Sequence, residues 1–142
     1  MIRRAEEGDI GGITELEHSA LLHPWDIGDI ERLVSSEGKN ALVYEEDGTI
    51  VGYIGYSLVL DEAEIGNICV LDRYRRRGIA SSLLDAVGED LRRRGVATVF
   101  LEVEDGNDPA KALYLKKGFE VISVRRDYYG AGRDAHIMRW IL

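Results

Sequence analysis

Ile68-Cys69-Val70-Leu71, with Arg75-Arg76-Arg77-Gly78-Ile79-Ala80 just after it, reads as a buried strand that enters a turn and passes at once into a helix. Gly78 removes the side chain where the chain enters that helix, and Ala80 keeps the next turn small. The first amides of a helix have no intrahelical acceptors, so they can receive phosphate oxygens, and the helix dipole favours negative charge there. Arginines beside those amides add charged donors. The segment predicts a site for a phosphorylated ligand. It is not a P-loop, because the Gly-Lys-Ser/Thr ending is missing, and it is not the dinucleotide fingerprint.

Working outward, Ile79, Leu83, Leu84, Val87 and Leu91 keep helical spacing, and Arg92-Arg93-Arg94-Gly95 suits the end of that helix. Upstream, Asn40 to Glu46 and Thr49 to Leu60 flank Asp47-Gly48, a hairpin signal, and Asp61-Glu62 predicts a second tight turn. Met1 to Arg4 is a short strand. Asp9 is a candidate cap for a helix with Ile10, Ile13 and Leu16 on one face. His23-Pro24-Trp25-Asp26 interrupts it, and Asp26 caps a second helix bearing Ile27, Ile30, Leu33 and Val34. Downstream come a strand from Ala97 to Val103 and a helix that starts at Asp108-Pro109 and stops at Gly118. Strands from Phe119 to Tyr129 and Asp134 to Leu142 flank Gly130-Ala131-Gly132. This order predicts an α/β (α+β) chain, a mixed sheet with helices on both faces. No repeat or linker divides it, so 1–142 is read as one domain.

Composition narrows the function. Eighteen basic against 26 acidic residues give a net charge of −8, which argues against direct nucleic-acid binding. Within that acidic background Arg73, Arg75, Arg76 and Arg77 form a cationic cluster suited to a compact anion; the plainer alternative is a solvated basic turn. No apolar run approaches the roughly 20 residues of a membrane span, and the N-terminus lacks a signal-peptide core, so no membrane association is expected. A single cysteine, Cys69, forms no internal disulfide, and a reducing cytoplasm is the expected compartment. His18, His23 and His136 lack ligand spacing, so no metal is expected. Cys69, on the buried strand, reads as an apolar filler rather than an acyl carrier.

The residues resemble the GNAT N-acetyltransferase superfamily, whose cofactor motif Arg/Gln-x-x-Gly-x-Gly/Ala stands here as Arg75-Arg76-Arg77-Gly78-Ile79-Ala80. The likeness covers essentially the whole chain. It is strongest to the acetyltransferases of protein N-termini, the ribosomal-protein-alanine enzymes and their archaeal and eukaryotic counterparts. The supporting segments are Leu60-Asp61-Glu62-Ala63, Asn67-Ile68-Cys69-Val70, Arg94-Gly95-Val96-Ala97 and Leu101-Glu102-Val103, with Asn107, Ala112-Leu113-Tyr114, Gly118-Phe119, Arg126-Asp127-Tyr128-Tyr129, Asp134-Ala135 and Met138. The resemblance implies a central mixed sheet of six to seven strands, splayed between strands 4 and 5 to admit the pantetheine arm of acetyl-CoA. Backbone groups of Ile68, Cys69 and Val70 would hold the arm, and amides from Arg76 to Ser81, through Arg77, Gly78, Ile79 and Ala80, the pyrophosphate. Asn107 and Tyr114 would border the far side. Gly66 stands where bacterial relatives often carry a bulky residue, and Ala80 replaces the commoner glycine.

Acetyl transfer from a thioester to an amine needs a base for the amine, donors for the carbonyl oxygen and an acid for the leaving thiolate. Donors aimed at that oxygen are worth about 3–4 kcal/mol, and the resemblance points to a backbone amide near Val70. Glu102 is a carboxylate in the apolar run Val99 to Val103, and burial there would make it a better base; it is otherwise a strand-end residue facing water. Tyr114 is the candidate acid, since a phenol with a free pKa of about 10 is protonated at neutral pH; it is otherwise a core aromatic between Leu113 and Leu115. An α-amino group, with a pKa of about 8 against about 10.4 for lysine, is the easier acceptor for one moderate base. Tyr128 and Tyr129 match tyrosines that line the peptide entrance in the resembled family, with strand-edge packing as the alternative. Trp25 is the candidate opposite wall and Asn67 a substrate contact, unless each is structural. The expected partner is a protein or peptide N-terminus, a ribosomal protein among the candidates, met by a monomer or weak dimer. A lysine or small-molecule amine, or a non-catalytic acyl-CoA-binding module, are the alternatives.

Overall fold

A computed structural model describes residues 1–21 and 23–142. Strand β1 (Ile2–Arg4) precedes helices α1 (Ile10–Ala20) and α2 (Ile27–Ser35), and β2 (Lys39–Glu46), β3 (Thr49–Val59) and β4 (Glu62–Val70) follow. Helix α3 (Ile79–Arg93), β5 (Thr98–Glu104), α4 (Asp108–Lys117), β6 (Glu120–Gly130) and β7 (Arg133–Ile141) complete the chain, in the order the periodicity predicts. The strands form one seven-stranded sheet, β1-β2-β3-β4-β5-β7-β6. The β4–β5 pair, joined through α3, is parallel, and its neighbours are antiparallel. The mixed sheet and its helices therefore agree with the expected class.

Local chemistry explains most boundaries. Asp26 caps α2, its Oδ1 accepting the Asp29 amide at 2.9 Å, a bond typically worth about 1 kcal/mol. Asp47 (φ 51°) and Gly48 (φ 77°) make the two-residue turn between β2 and β3. Two details differ from expectation. Asp9 does not cap α1 with its side chain; its carboxylate accepts the Glu6 amide at 2.8 Å and forks with Arg3 at 2.7 and 3.0 Å, because the turn before the helix and the guanidinium reach it first. The second tight turn sits one residue early, on Leu60 (φ 58°) and Asp61, and Glu62 already opens β4.

Each sheet face carries its own apolar layer. On one face α1 and α2 set Ile13, Leu16, Ile30 and Leu33 against Ala41, Val43, Tyr53 and Cys69. On the other, α3 sets Leu83, Leu84, Val87 and Leu91 against Ile54, Val99 and Leu101, beside Tyr114, Phe119 and Trp140. Burying each such side chain contributes about 1.5–3 kcal/mol before chain entropy is counted. No helix among the described residues is long and apolar enough to cross a membrane.

Two irregularities in the sheet open and shape its clefts. First, β4 and β5 are paired only from Glu62–Glu64 to Thr98–Phe100. Beyond that they part, and the β5-facing edge of β4 lacks a strand partner up to Val70. Second, β4 bulges against β3. Ile65 pairs with Tyr56 and Asn67 with Gly55, so Gly66 is the extra residue. Side chains alternate along a strand, and one extra residue reverses the alternation. Ala63 and Ile65 belong to the α3 layer, whereas Cys69 belongs to the α1–α2 layer.

Candidate active site

The turn after β4 and the start of α3 build a donor cleft of about 640 Å³, walled by Ile68, Val70, Arg75, Arg76 and Gly78 to Ser81 on one side and Asn107, Ala110, Leu113 and Tyr114 on the other. Gly78 has φ 78°, a left-handed conformation costly for any residue with a Cβ, and a Cβ there would touch nothing within 4 Å. Its role is therefore the backbone turn, not the room. The first helical bond of α3 runs from the Ser82 amide to the Gly78 carbonyl. The amides of Ile79, Ala80 and Ser81 precede it and face no described acceptor, which suits a phosphate. The arginines are partly engaged. Arg75 donates to the Val70 carbonyl at 3.3 Å and pairs with Asp72 at 2.9 Å. Arg77 stacks over Tyr74 at 4.9 Å, outside the cleft lining. The cradle and its apolar walls fit the phosphates and arm of a coenzyme A thioester.

A second, smaller cavity lies across the gap between β4 and β5, lined by Asn67, Glu102, Glu104 and Tyr129. Ile68, Asn107 and Tyr114 line both cavities, so the two meet at the parted strands. Tyr114 is buried, and burial, helped by the nearby Tyr129, pushes its hydroxyl up to about 12; it stays a proton donor at any ordinary pH. Glu102 comes from the α1–α2 side of β5, whereas Leu101 and Val103 face the α3 layer. It is not sealed from water: its side chain is 22% exposed, and Arg125 on β6 approaches at 3.4 Å. The nearby Glu102 carboxylate raises the pKa of the Tyr128 phenol. Tyr128 and Tyr129 stand edge to face, 5.0 Å apart.

Residues with no predicted part complete this side. Arg133 forks onto Glu104 at 3.0 and 2.7 Å and donates to the Tyr129 carbonyl at 3.1 Å, tying the β6–β7 hairpin to β5. That guanidinium holds the Glu104 carboxyl below its usual range. Glu17 on α1 is fully buried. It accepts from the Tyr53 hydroxyl at 3.0 Å and from Asn67 Nδ2 at 2.6 Å. Burial pushes its pKa up against the pull of these donors and of the Trp25 amide. Trp25 lies over Gly66, where a Cβ would stand 3.0 Å from the ring, and is not part of the cavity lining. A third hollow, between α1 and the β2–β3 turn, takes Arg73 of the cationic cluster but none of the predicted catalytic, cofactor or substrate residues.

The acetyltransferase (GNAT) family model matches residues 10–119. The chain belongs to the GNAT family. It is an N-acetyltransferase. Among its relatives is the [ribosomal protein bS18]-alanine N-acetyltransferase of Escherichia coli, 35% identical over 96% of this chain and 94% of that one. An N-alpha-acetyltransferase of Sulfurisphaera tokodaii is 34% identical over 96% and 90%. The crystal structure of the ribosomal-protein-S18-alanine N-acetyltransferase from Escherichia coli superposes with a TM-score of 0.94 at 32% identity, covering 99% of this chain and 92% of that one.

Within this GNAT scaffold the predicted donor residues gather in one cleft except Arg77, and Asn67, Glu102, Tyr114 and Tyr129 line the second cavity. Trp25 and Tyr128 are outside that lining, each beside a residue within it, Gly66 and Glu102. Cys69 is buried, and burial, with the Glu17 carboxylate adding to it, pushes its thiol pKa up, so the thiol is an inert filler. Glu17 was discoverable: at i+4 from Ile13 it is a charge on the apolar face of α1. Arg133 and Glu104 gave no comparable signal, since each is a charged strand residue among many.

Proposed function

We propose that this N-acetyltransferase takes the acetyl group of acetyl-CoA to the α-amino group at a protein N-terminus, by direct attack in a ternary complex. The observation that carries the reading is the meeting of two cavities at the parted β4–β5 edge, with Tyr114 in both linings and Glu102 entering from the other face. Amides of Ile79 to Ser81 hold the pyrophosphate, and arginines assist from the rim. The β4 edge from Ile68 to Val70 holds the arm, and a backbone amide near Val70 receives the developing oxyanion.

Glu102, directly or through one water, takes a proton from the incoming ammonium. The amine nitrogen bonds to the thioester carbon and the carbon–sulfur bond breaks. Tyr114 protonates the departing thiolate, the second proton shed by the nitrogen returns through water to that phenolate, and Glu102 passes its proton to solvent. Tyr128 and Tyr129 border the peptide entrance, with Trp25 opposite. The alanine of a ribosomal protein, the acceptor named for the Escherichia coli relative, is the first candidate substrate; nascent chains are the second. The enzyme acts in the cytoplasm as one domain, a monomer or weak dimer.

The experiment is thiol release from acetyl-CoA with peptides varied at their first two positions. Release should follow a free N-terminus and stop when it is blocked. Acetylation of lysine in a blocked peptide would move the reading to side-chain amines. Binding of acetyl-CoA without release to any amine would leave a non-catalytic module.

A further inference from the structure

Glu17 has no part in the proposed proton transfers, yet it is taken wholly out of water beside the acceptor cavity. An isolated buried carboxylate costs stability unless its donors offset the loss of water, and replacing such polar groups by apolar ones is often neutral. Two strands supply those donors, and the Trp25 amide pulls the same way. Asn67 Nδ2, on the β4 bulge, reaches Oε1 at 2.6 Å and Oε2 at 3.2 Å, and Tyr53 on β3 reaches Oε1 at 3.0 Å.

The consequence for Asn67 is geometric. Both Glu17 oxygens accept from Nδ2, so the Asn67 amide turns its nitrogen to Glu17. The amide is planar, and its oxygen then points the other way. Asn67 lines the acceptor cavity, and no described group donates to its Oδ1. The bulge at Gly66 makes this possible, since in a regular strand Asn67, two residues on, would share the face of Ile65.

A terminal amine that has lost its extra proton keeps two N–H groups and one lone pair. The lone pair aims at a carbonyl carbon only while an N–H is held, and Glu102 stands on a different strand from Asn67. We propose that Glu17 is a positioning residue for the acceptor. It locks Asn67 so that the Asn67 carbonyl oxygen accepts an N–H of the attacking amine and directs the lone pair toward the thioester. No proton moves at this contact. The inference rests on the proposed acetyl transfer to an amine.

The test measures peptide kcat and KM, acetyl-CoA affinity and Tm together. Asn67→Ala should lower kcat on the order of 10- to 30-fold, the worth of one hydrogen bond at the reacting nitrogen, with acetyl-CoA affinity unchanged. Asn67→Asp alone sets two carboxylates face to face and should lose at least about tenfold. The swap Glu17→Gln with Asn67→Asp re-forms an N–H···O bond with reversed polarity and leaves an oxygen facing the cavity. It should return kcat to within about threefold of wild type. Tyr56→Phe, which removes a comparable buried bond to Asp90 (2.7 Å) under α3, controls for stability and should lower Tm while leaving kcat alone. Asn67→Ala behaving like Tyr56→Phe, or a swap that restores Tm without kcat, would overturn the inference. A wild type that acetylates no amine would instead overturn the proposed function, and this inference with it.

Discussion

The donor cleft and the acceptor cavity share the gap between β4 and β5 but are made in opposite ways. One wall of the donor side comes from a single stretch of chain, with Ile68 to Val70 giving strand edge, Tyr74 to Arg76 the turn and Gly78 to Ser81 the first helix amides. The acceptor side is made of side chains, with Asn67 from β4, Glu102 and Glu104 from β5, Tyr114 from α4 and Tyr129 from β6. On the proposed function the backbone cradle holds the shared acetyl donor and tolerates substitution wherever φ and ψ survive, whereas the side-chain cavity changes with each residue and sets the preference for one amine over another. Substitutions on the two sides should therefore move different constants.

The largest effect is expected where the sides meet. Glu102→Gln and Tyr114→Phe should each lower kcat about 100-fold or more, the usual range for a lost general base or acid, while acetyl-CoA affinity by calorimetry stays put. Full turnover in both variants would remove the acid–base assignment and blur the division. Because the Tyr114 hydroxyl titrates at about 12, the rate should rise with pH as the amine deprotonates, with no fall from this phenol below about pH 10. Tyr114→Phe should lower that plateau without moving the rising limb.

Smaller changes separate the sides. Gly78→Ala meets no steric obstacle but forces a Cβ into left-handed backbone, at about 1–2 kcal/mol. Acetyl-CoA affinity should weaken roughly three- to tenfold, with peptide KM unchanged. Arg133→Ala frees Glu104 and the Tyr129 backbone; here peptide KM should rise roughly threefold and acetyl-CoA affinity hold. If either substitution moved the other side's constant equally, the two cavities would be one mechanical unit.

The smallest effect concerns stability. The folded pKa of Glu17 is raised from its ordinary 4.5. Such a carboxyl favours the fold fully below its unfolded value, and the contribution is lost as pH rises through the folded one. Relative to Glu17→Gln, wild type should therefore lose Tm as pH rises above the ordinary carboxylate range, by about 2–4 °C per kcal/mol for a chain of this size. A difference that grows in wild type's favour with rising pH would contradict it.

Legibility in the sequence follows the same division. The element order, the Asp26 cap, the Asp47-Gly48 turn and the Gly78 entry to α3 were readable because each depends on neighbours a few residues away. Asp9 misled for the same reason in reverse: Arg3 and the Glu6 amide compete for its carboxylate, and Arg3 is placed by the β1–β2 pairing. Glu102 stood out as a charge in an apolar strand, but its contact with Arg125 and Tyr128 depends on β6 reaching it through the order β5-β7-β6.

By itself, then, the sequence determined the mixed sheet with its two helical layers and the left-handed turn at Gly78 that opens α3, because periodicity, capping and left-handed glycine are local physics. Tertiary structure alone decided that Tyr114 joins two cavities, that a one-residue bulge turns Asn67 from the face of Ile65, and that Glu17, 50 residues away along the chain, holds it there. Those relations come from strand parting, register and burial. Each exists only once distant segments have packed and water has left.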